Sequence, residues 1–147
     1  MRKLLLGISI FFICSLANAQ ASKMFVQTNI DISYKDKEGN DLLGSTFFQD
    51  SIVVYNVVGK EKVKVDKPGR DYPNNHFVFK DENQTNVLRV FLETETTYLQ
   101  LNTKTTDVIK CCFKKGKGSL QLKKVWYNHK LVWKLGKNTS SIIHITK

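Results

Sequence analysis

The dominant pattern along the chain is an alternation of apolar and polar positions with a period of two. In the segment VQTNIDISY, this alternation places Val26, Ile30 and Ile32 on one side and Asp31 and Ser33 on the other. Short segments of the same kind recur to the end of the chain, among them SIVVYNVV, HFVFK, NVLRVFLE, DVIKCCF, SLQLKKVWY and SIIHITK. The pattern predicts an all-β fold: a single antiparallel β-sandwich, immunoglobulin-like or transthyretin-like, of about seven to ten short strands.

The segments between these strands have the composition of turns and loops. Gly59, first in the two-residue connection Gly59-Lys60, predicts a type II′ hairpin turn. Asn128 and His129 occupy a second two-residue connection, and both residue types tolerate positive φ. The segment DKPGRDYPNN, residues 66–75, predicts a long surface loop. No segment has the apolar period of an amphipathic helix, and at most one helical turn is expected, within 42–48.

The N-terminal segment MRKLLLGISIFFICSLANAQASK has the parts of a secretory signal peptide in their usual order. Two basic residues are followed by an apolar stretch and then by Ala17-Asn18-Ala19, a small-x-small cleavage pattern. The stretch is shorter than the about 20 residues that span a bilayer, and no second long apolar stretch follows. We therefore expect a signal peptide at 1–19 and one secreted β-sandwich domain at 20–147, in the periplasm or at the cell surface, with no transmembrane segment after cleavage. Cleavage after Ala21 and lipidation of Cys14 are the alternatives.

The charge balance is strongly basic. The chain has a formal net charge of +10, and removal of Arg2 and Lys3 with the signal peptide leaves +8. Such a balance attracts anionic lipid, acidic glycan or nucleic acid. Scattered lysines also keep edge strands from pairing with other chains, without any ligand. The only tight group, and hence the candidate polyanion contact, is Lys114, Lys115 and Lys117.

Two adjacent cysteines lie in the segment DVIKCCFKK. Neighbouring residues of a strand point to opposite faces, so Ile109, Cys111 and Phe113 should share the buried side and Cys112 should be at least partly exposed. Adjacent Cα atoms are about 3.8 Å apart, whereas disulfides prefer about 5.5–6 Å, so the two thiols should not pair. Cys112 is therefore the candidate reactive thiol, beside two lysines, and the candidate link of a disulfide dimer.

Nothing in the sequence indicates catalysis. His76, His129 and His144 lie in separate segments, without the spacing of a zinc site and without a local partner for a thiol nucleophile. No nucleophile elbow, zinc-protease motif or phosphate-binding loop is present. The sequence predicts a protein that is not an enzyme and has no cofactor and no metal. A small secreted hydrolase with a site assembled from loops is the alternative, since convergent sites are not visible in sequence.

Three aromatic residues, Trp126, Tyr127 and Trp133, surround the second hairpin. By strict alternation, Trp126 lies on the side of Leu122, and Tyr127 on the side of Val125. Aromatic residues here either pack in the core or form an exposed platform for a sugar or a peptide. They are the candidate ligand-binding residues.

The chain resembles the short secreted proteins and lipoproteins of unknown function found in Bacteroidetes. The resemblance depends on the NAQA end of the signal segment, on KDKEGNDLLG followed by IVVYNVVGK, and on TYLQLN, TDVIKC and KVWYNHKLV in this order. It covers roughly Ile30 to Val132, with His129 where such proteins usually have Gly. It implies a periplasmic or surface β-sandwich and brings no catalytic residues.

These observations together predict an exported, non-catalytic binding or interaction module of the cell envelope. Its partner is expected to be a protein or glycan of the envelope, with no nucleic acid. A polyanion-binding protein that uses its surface lysines is a further alternative.

Overall fold

A computed structural model describes residues 25–43, 52–137 and 142–147. The signal segment, Cys14 and most of the predicted helical turn at 42–48 lie outside these residues. The described part contains eleven strands: β1 Phe25–Gln27, β2 Asn29–Lys35, β3 Val53–Val58, β4 Glu61–Lys64, β5 His76–Lys80, β6 Asn86–Phe91, β7 Thr96–Gln100, β8 Thr106–Gly116, β9 Ser119–Tyr127, β10 Lys130–Lys134 and β11 Ile142–Thr146. None of the described segments is a helix that could cross a membrane.

The strands form two sheets around a shared core. The larger has seven strands in the order β1-β9-β8-β7-β3-β4, with β10 also paired to β9, and the smaller has the order β11-β2-β6-β5. Inward-facing side chains of both sheets form one hydrophobic cluster, which includes Ile32 and Leu88 from the smaller sheet and Leu99, Ile109 and Val125 from the larger. The all-β prediction is confirmed.

The prediction of purely antiparallel sheets is wrong. β1 runs parallel to β9, and β11 runs parallel to β2, so both sheets are mixed. These two strands are the first and last of the described chain, and each joins an outer position of a sheet whose other pairs are antiparallel. Eleven described strands also exceed the predicted number. The alternation of apolar and polar residues within a segment does not show in which direction a strand runs or which strand it pairs with.

The predicted turns and the loop are present. Val58 pairs with Glu61, and Gly59 has φ +64, which fits the type II′ turn. The loop 66–75 connects β4 to β5. In the second hairpin, Asn128 has φ +45 and His129 has φ +70, so both central residues are left-handed, as in a type I′ turn.

We predict that His129→Gly stabilises the protein by about 1 kcal/mol, because a side chain at positive φ is strained and glycine is not. Thermal or denaturant unfolding measures the change. The matched control is His144→Gly in β11. Glycine should destabilise the protein there, because it has more conformational freedom to lose when the strand forms. Equal destabilisation by both changes would show that the His129 side chain makes compensating contacts.

Candidate functional site

The outward side of the seven-stranded sheet carries rows of lysine and aromatic side chains. Directly opposed residues on neighbouring strands share a face, so the strand register assigns side chains to it. Tyr55 opposes Lys64 on β4 and Tyr98 on β7. Lys110 opposes Trp126 on β9. We call this surface the aromatic–lysine face; its members are Tyr55, Tyr98 and Trp126 with Lys62, Lys64, Lys110, Lys114 and Lys124.

The face is positively charged throughout. Among the outward positions of the described strands β3, β4, β7, β8 and β9, none is occupied by Asp or Glu. Glu61 and Asp107 belong to these strands but alternate onto the inward side, and Glu95 precedes β7 at the margin. With neighbouring strands about 4.8 Å apart, the face extends about 19 Å from β4 to β9.

Lysine and aromatic side chains of the face contact one another. The Lys62 ammonium lies 3.6 Å from the ring centroid of Tyr98, and that of Lys124 lies 5.8 Å from the ring of Trp126. The Tyr55 hydroxyl donates to Gln100 Oε1 at 3.0 Å. Such pairs hold the rings beside the charges, so that a ligand would meet an apolar surface and a cation together.

A shallow depression of about 420 Å³ lies at one end of this face. It is lined by Glu95, Thr96, Lys110, Cys111, Trp126 and His129. Cys111 and His129 thus line the same depression, and a thiol hydrolase would need a cysteine and a histidine placed together in this way. However, the Cys111 thiol donates to the carbonyl of Thr94 at 3.4 Å, and burial raises its pKa to about 12. This is the opposite of an activated nucleophile.

The three candidate aromatic residues do not form a single platform. Trp126 is half-buried on the aromatic–lysine face. Tyr127 is only 5% exposed, and its hydroxyl lies 2.9 Å from that of Tyr34 and donates to Asp107. Trp133 is half-buried against the core and borders a small cavity of about 40 Å³ with Leu122.

The placement of Trp126 on the side of Leu122 is therefore wrong, and a β-bulge explains why. Cys112 opposes Lys124, but Phe113 opposes Leu122, so Lys123 is an extra residue in β9. One extra residue reverses the alternation of everything that follows it. Leu122 points into the core, whereas Trp126 points outward.

The three candidate lysines are also divided. Lys114 lies on the aromatic–lysine face, while Lys115 and Lys117 are exposed where β8 turns into β9. The sequence did not single out the other lysines of the face, because their strands are separate segments of the chain that come together only through strand pairing. These lysines are Lys62, Lys64, Lys110 and Lys124. The available signal was the even spacing of lysines in EKVKV and IKCCFK, where they are two and four positions apart and therefore fall on one side of each strand.

The predicted burial of the two thiols is confirmed: Cys111 is buried, Cys112 is half-buried, and both are free. Cys112 opposes Lys124 on the aromatic–lysine face. We predict that a thiol reagent modifies Cys112 and spares Cys111, which mass spectrometry of the native protein measures. The disulfide dimer through Cys112 stays a prediction. Cys112→Ser should abolish it on a non-reducing gel and Cys111→Ser should leave it intact; labelling of Cys111 alone would contradict the assignment.

Within the described residues, no group of three His, Cys, Asp or Glu side chains is arranged to hold a metal ion. No family model, no curated protein and no solved structure matches the chain. The resemblance to secreted proteins of Bacteroidetes therefore stays a prediction.

Proposed function

We propose that the protein is an exported, non-catalytic binding module of the cell envelope that holds an acidic glycan on its aromatic–lysine face. The observation that carries the proposal is the composition of this face, with five lysines and three aromatic rings and no carboxylate at the outward strand positions described. An acidic glycan offers carboxylates or sulfates to the ammonium groups and apolar C–H surfaces to the rings. The sandwich arrangement, immunoglobulin-like or transthyretin-like, belongs to the same proposal.

Protection of sheet edges does not account for these lysines. Lys62 and Lys64 lie on β4, an edge strand, where lysine discourages pairing with another chain. Lys110 and Lys124 lie on β8 and β9, which are paired on both sides. No edge exists there to protect. A ligand explains the charges on interior strands and the rings beside them.

Binding to polymers of defined charge tests the proposal. The protein should bind polygalacturonate and heparin at low salt and release both as NaCl is raised. Binding releases counterions from the polymer, and this release becomes less favourable as the salt concentration rises. Uncharged dextran is the matched control and should not bind the face. Absence of binding to both acidic polymers at low salt would remove the proposal, and tighter binding to double-stranded DNA would contradict the choice of a glycan.

A further inference from the structure

A second surface, which shares no residue with the aromatic–lysine face, is built by the loop 66–75. Backbone hydrogen bonds close this loop on itself: Lys67 N–H donates to the Pro73 carbonyl at 2.9 Å, Arg70 N–H to the Lys67 carbonyl at 3.3 Å, and Asn75 N–H to the Tyr72 carbonyl at 3.1 Å. A loop with such internal bonds is compact and holds its side chains in fixed positions.

The loop presents an aromatic ring supported from beneath. Tyr72 is 42% exposed, and its ring stacks on that of Phe77 at 4.2 Å between centroids and on that of Phe91 at 5.6 Å. Arg89 lies 5.7 Å from the Phe77 ring and is itself held by two 2.7 Å bonds to Asp31. An exposed tyrosine with this support is a rigid, flat platform.

A buried amide beside the platform lacks a partner. Asn75 is only 5% exposed and adopts φ +55, a conformation that asparagine tolerates better than most residues. Its Nδ2 lies near the Glu93 carboxylate but makes no hydrogen bond of ordinary geometry. A buried donor left unsatisfied is costly, so the position favours a ligand with an acceptor oxygen.

The neighbouring carboxylate is ionised and fixed. Glu93 is bonded to the Lys67 ammonium and accepts from Asn56 Nδ2 at 3.1 Å. Burial alone would raise the pKa of Glu93, but Lys67, Asn75 and Asn56 beside it together hold the pKa below its usual value. The carboxylate is thus a permanent acceptor, and Lys67 neutralises its charge.

These groups converge on one depression of about 330 Å³, lined by Arg70, Asp71, Tyr72, Asn75, Phe91 and Glu93, with Thr28 at its margin. The volume lies in the range of small-ligand pockets. Arg70 and Asp71 balance each other, as do Lys67 and Glu93, so the site favours a neutral ligand.

We propose that this depression binds a pyranose unit of a neutral glycan. The apolar face of the sugar ring stacks on Tyr72. Its hydroxyls, each both donor and acceptor, accept from Asn75 Nδ2 and Arg70 and donate to Glu93 and Asp71. A ligand with only acceptors would leave the carboxylates unmatched, and one with only donors would leave the amide unmatched.

An NMR titration with neutral trisaccharides of glucose, mannose, galactose and xylose tests the proposal. At least one of them should shift the backbone amides of Tyr72, Asn75 and Glu93 with saturation. Tyr72→Ala should weaken this binding on the order of tenfold, whereas Tyr72→Phe, which keeps the ring, should change it less than about twofold. Neither change removes a side chain of the hydrophobic cluster between the two sheets, because Tyr72 lies outside that cluster.

Asn75→Gly supplies a second variant, because glycine keeps the positive φ while removing the amide, and it should also weaken binding. The control is Tyr98→Ala on the aromatic–lysine face, which should leave trisaccharide binding unchanged. The proposal is overturned if no neutral trisaccharide shifts these amides at millimolar concentration, if only acidic sugars do so, or if Tyr72→Ala binds as wild type does. Because the acidic polymers are assigned to other residues, either proposal can fail alone.

Discussion

Replacing Asp107 with alanine should lower the free energy of unfolding by about 3 kcal/mol, the largest stability effect expected of a single polar residue here. The Asp107 side chain is 3% exposed and accepts from the Tyr127 hydroxyl, from Asn128 Nδ2 at 2.7 Å and from the Lys147 ammonium at 2.6 Å. Alanine leaves the buried Tyr127 hydroxyl with only the Tyr34 hydroxyl as a partner, and it removes the bond that Asn128, an exposed residue, makes to the carboxylate. Lys147 is partly exposed and regains water, which limits the loss.

The measurement is denaturant unfolding of the purified variant, where the midpoint should fall without a change in slope. Asp66→Ala is the matched control: Asp66 is exposed, and its loss should cost less than about 0.5 kcal/mol. Tyr127→Phe should cost less than Asp107→Ala, because it removes one donor and leaves the carboxylate bonded to Asn128 and Lys147. A loss for Asp107→Ala no larger than that of the control would show that the network contributes nothing to stability.

The sequence was sufficient for the class of fold because its main signal is local. Alternation places Ile30 and Ile32 inward without knowledge of any partner strand, and the structure agrees. Asp31 alternates onto the opposite side, where it is nevertheless buried and bonded to Arg89, a contact that alternation does not predict. Gly59 and the pair Asn128-His129 similarly fix their turns through backbone geometry alone. Strand direction and strand pairing do not follow from local alternation, because they depend on contacts between distant segments. The parallel pairs of β1 and β11 could not be predicted for that reason.

The candidate site was predicted only in part, for two physical reasons. Trp126 was predicted as a candidate, but the bulge at Lys123 changes the side to which it points. Leu122 and Val125 are three positions apart where alternation requires an even number, and this break in the pattern was the one local sign of the bulge. The lysines of the site lie on three strands, β4, β8 and β9, so grouping by sequence distance selected Lys115 instead of Lys110. A cluster made by strand pairing is visible only once the register is known.

Removing three lysines of the aromatic–lysine face should weaken binding to polygalacturonate on the order of 100-fold at moderate salt. Each ammonium group close to a polyanion contributes about 1 kcal/mol, and about 1.4 kcal/mol corresponds to a factor of ten. The dependence of affinity on salt should also become less steep, because fewer counterions are displaced. The variant carries Lys62→Gln, Lys110→Gln and Lys124→Gln, all at outward positions where glutamine is tolerated.

Two further triple variants with the same change in net charge decide whether the effect is local. The control replaces exposed lysines elsewhere, Lys35, Lys37 and Lys80, and should lose far less affinity, because general attraction by net charge is weak compared with contact. The other replaces Lys114, Lys115 and Lys117, of which only Lys114 lies on the face, and should give an intermediate loss. Equal losses in all three variants would mean that the polymer responds to the charge of the whole protein, and the aromatic–lysine face would then not be a binding site.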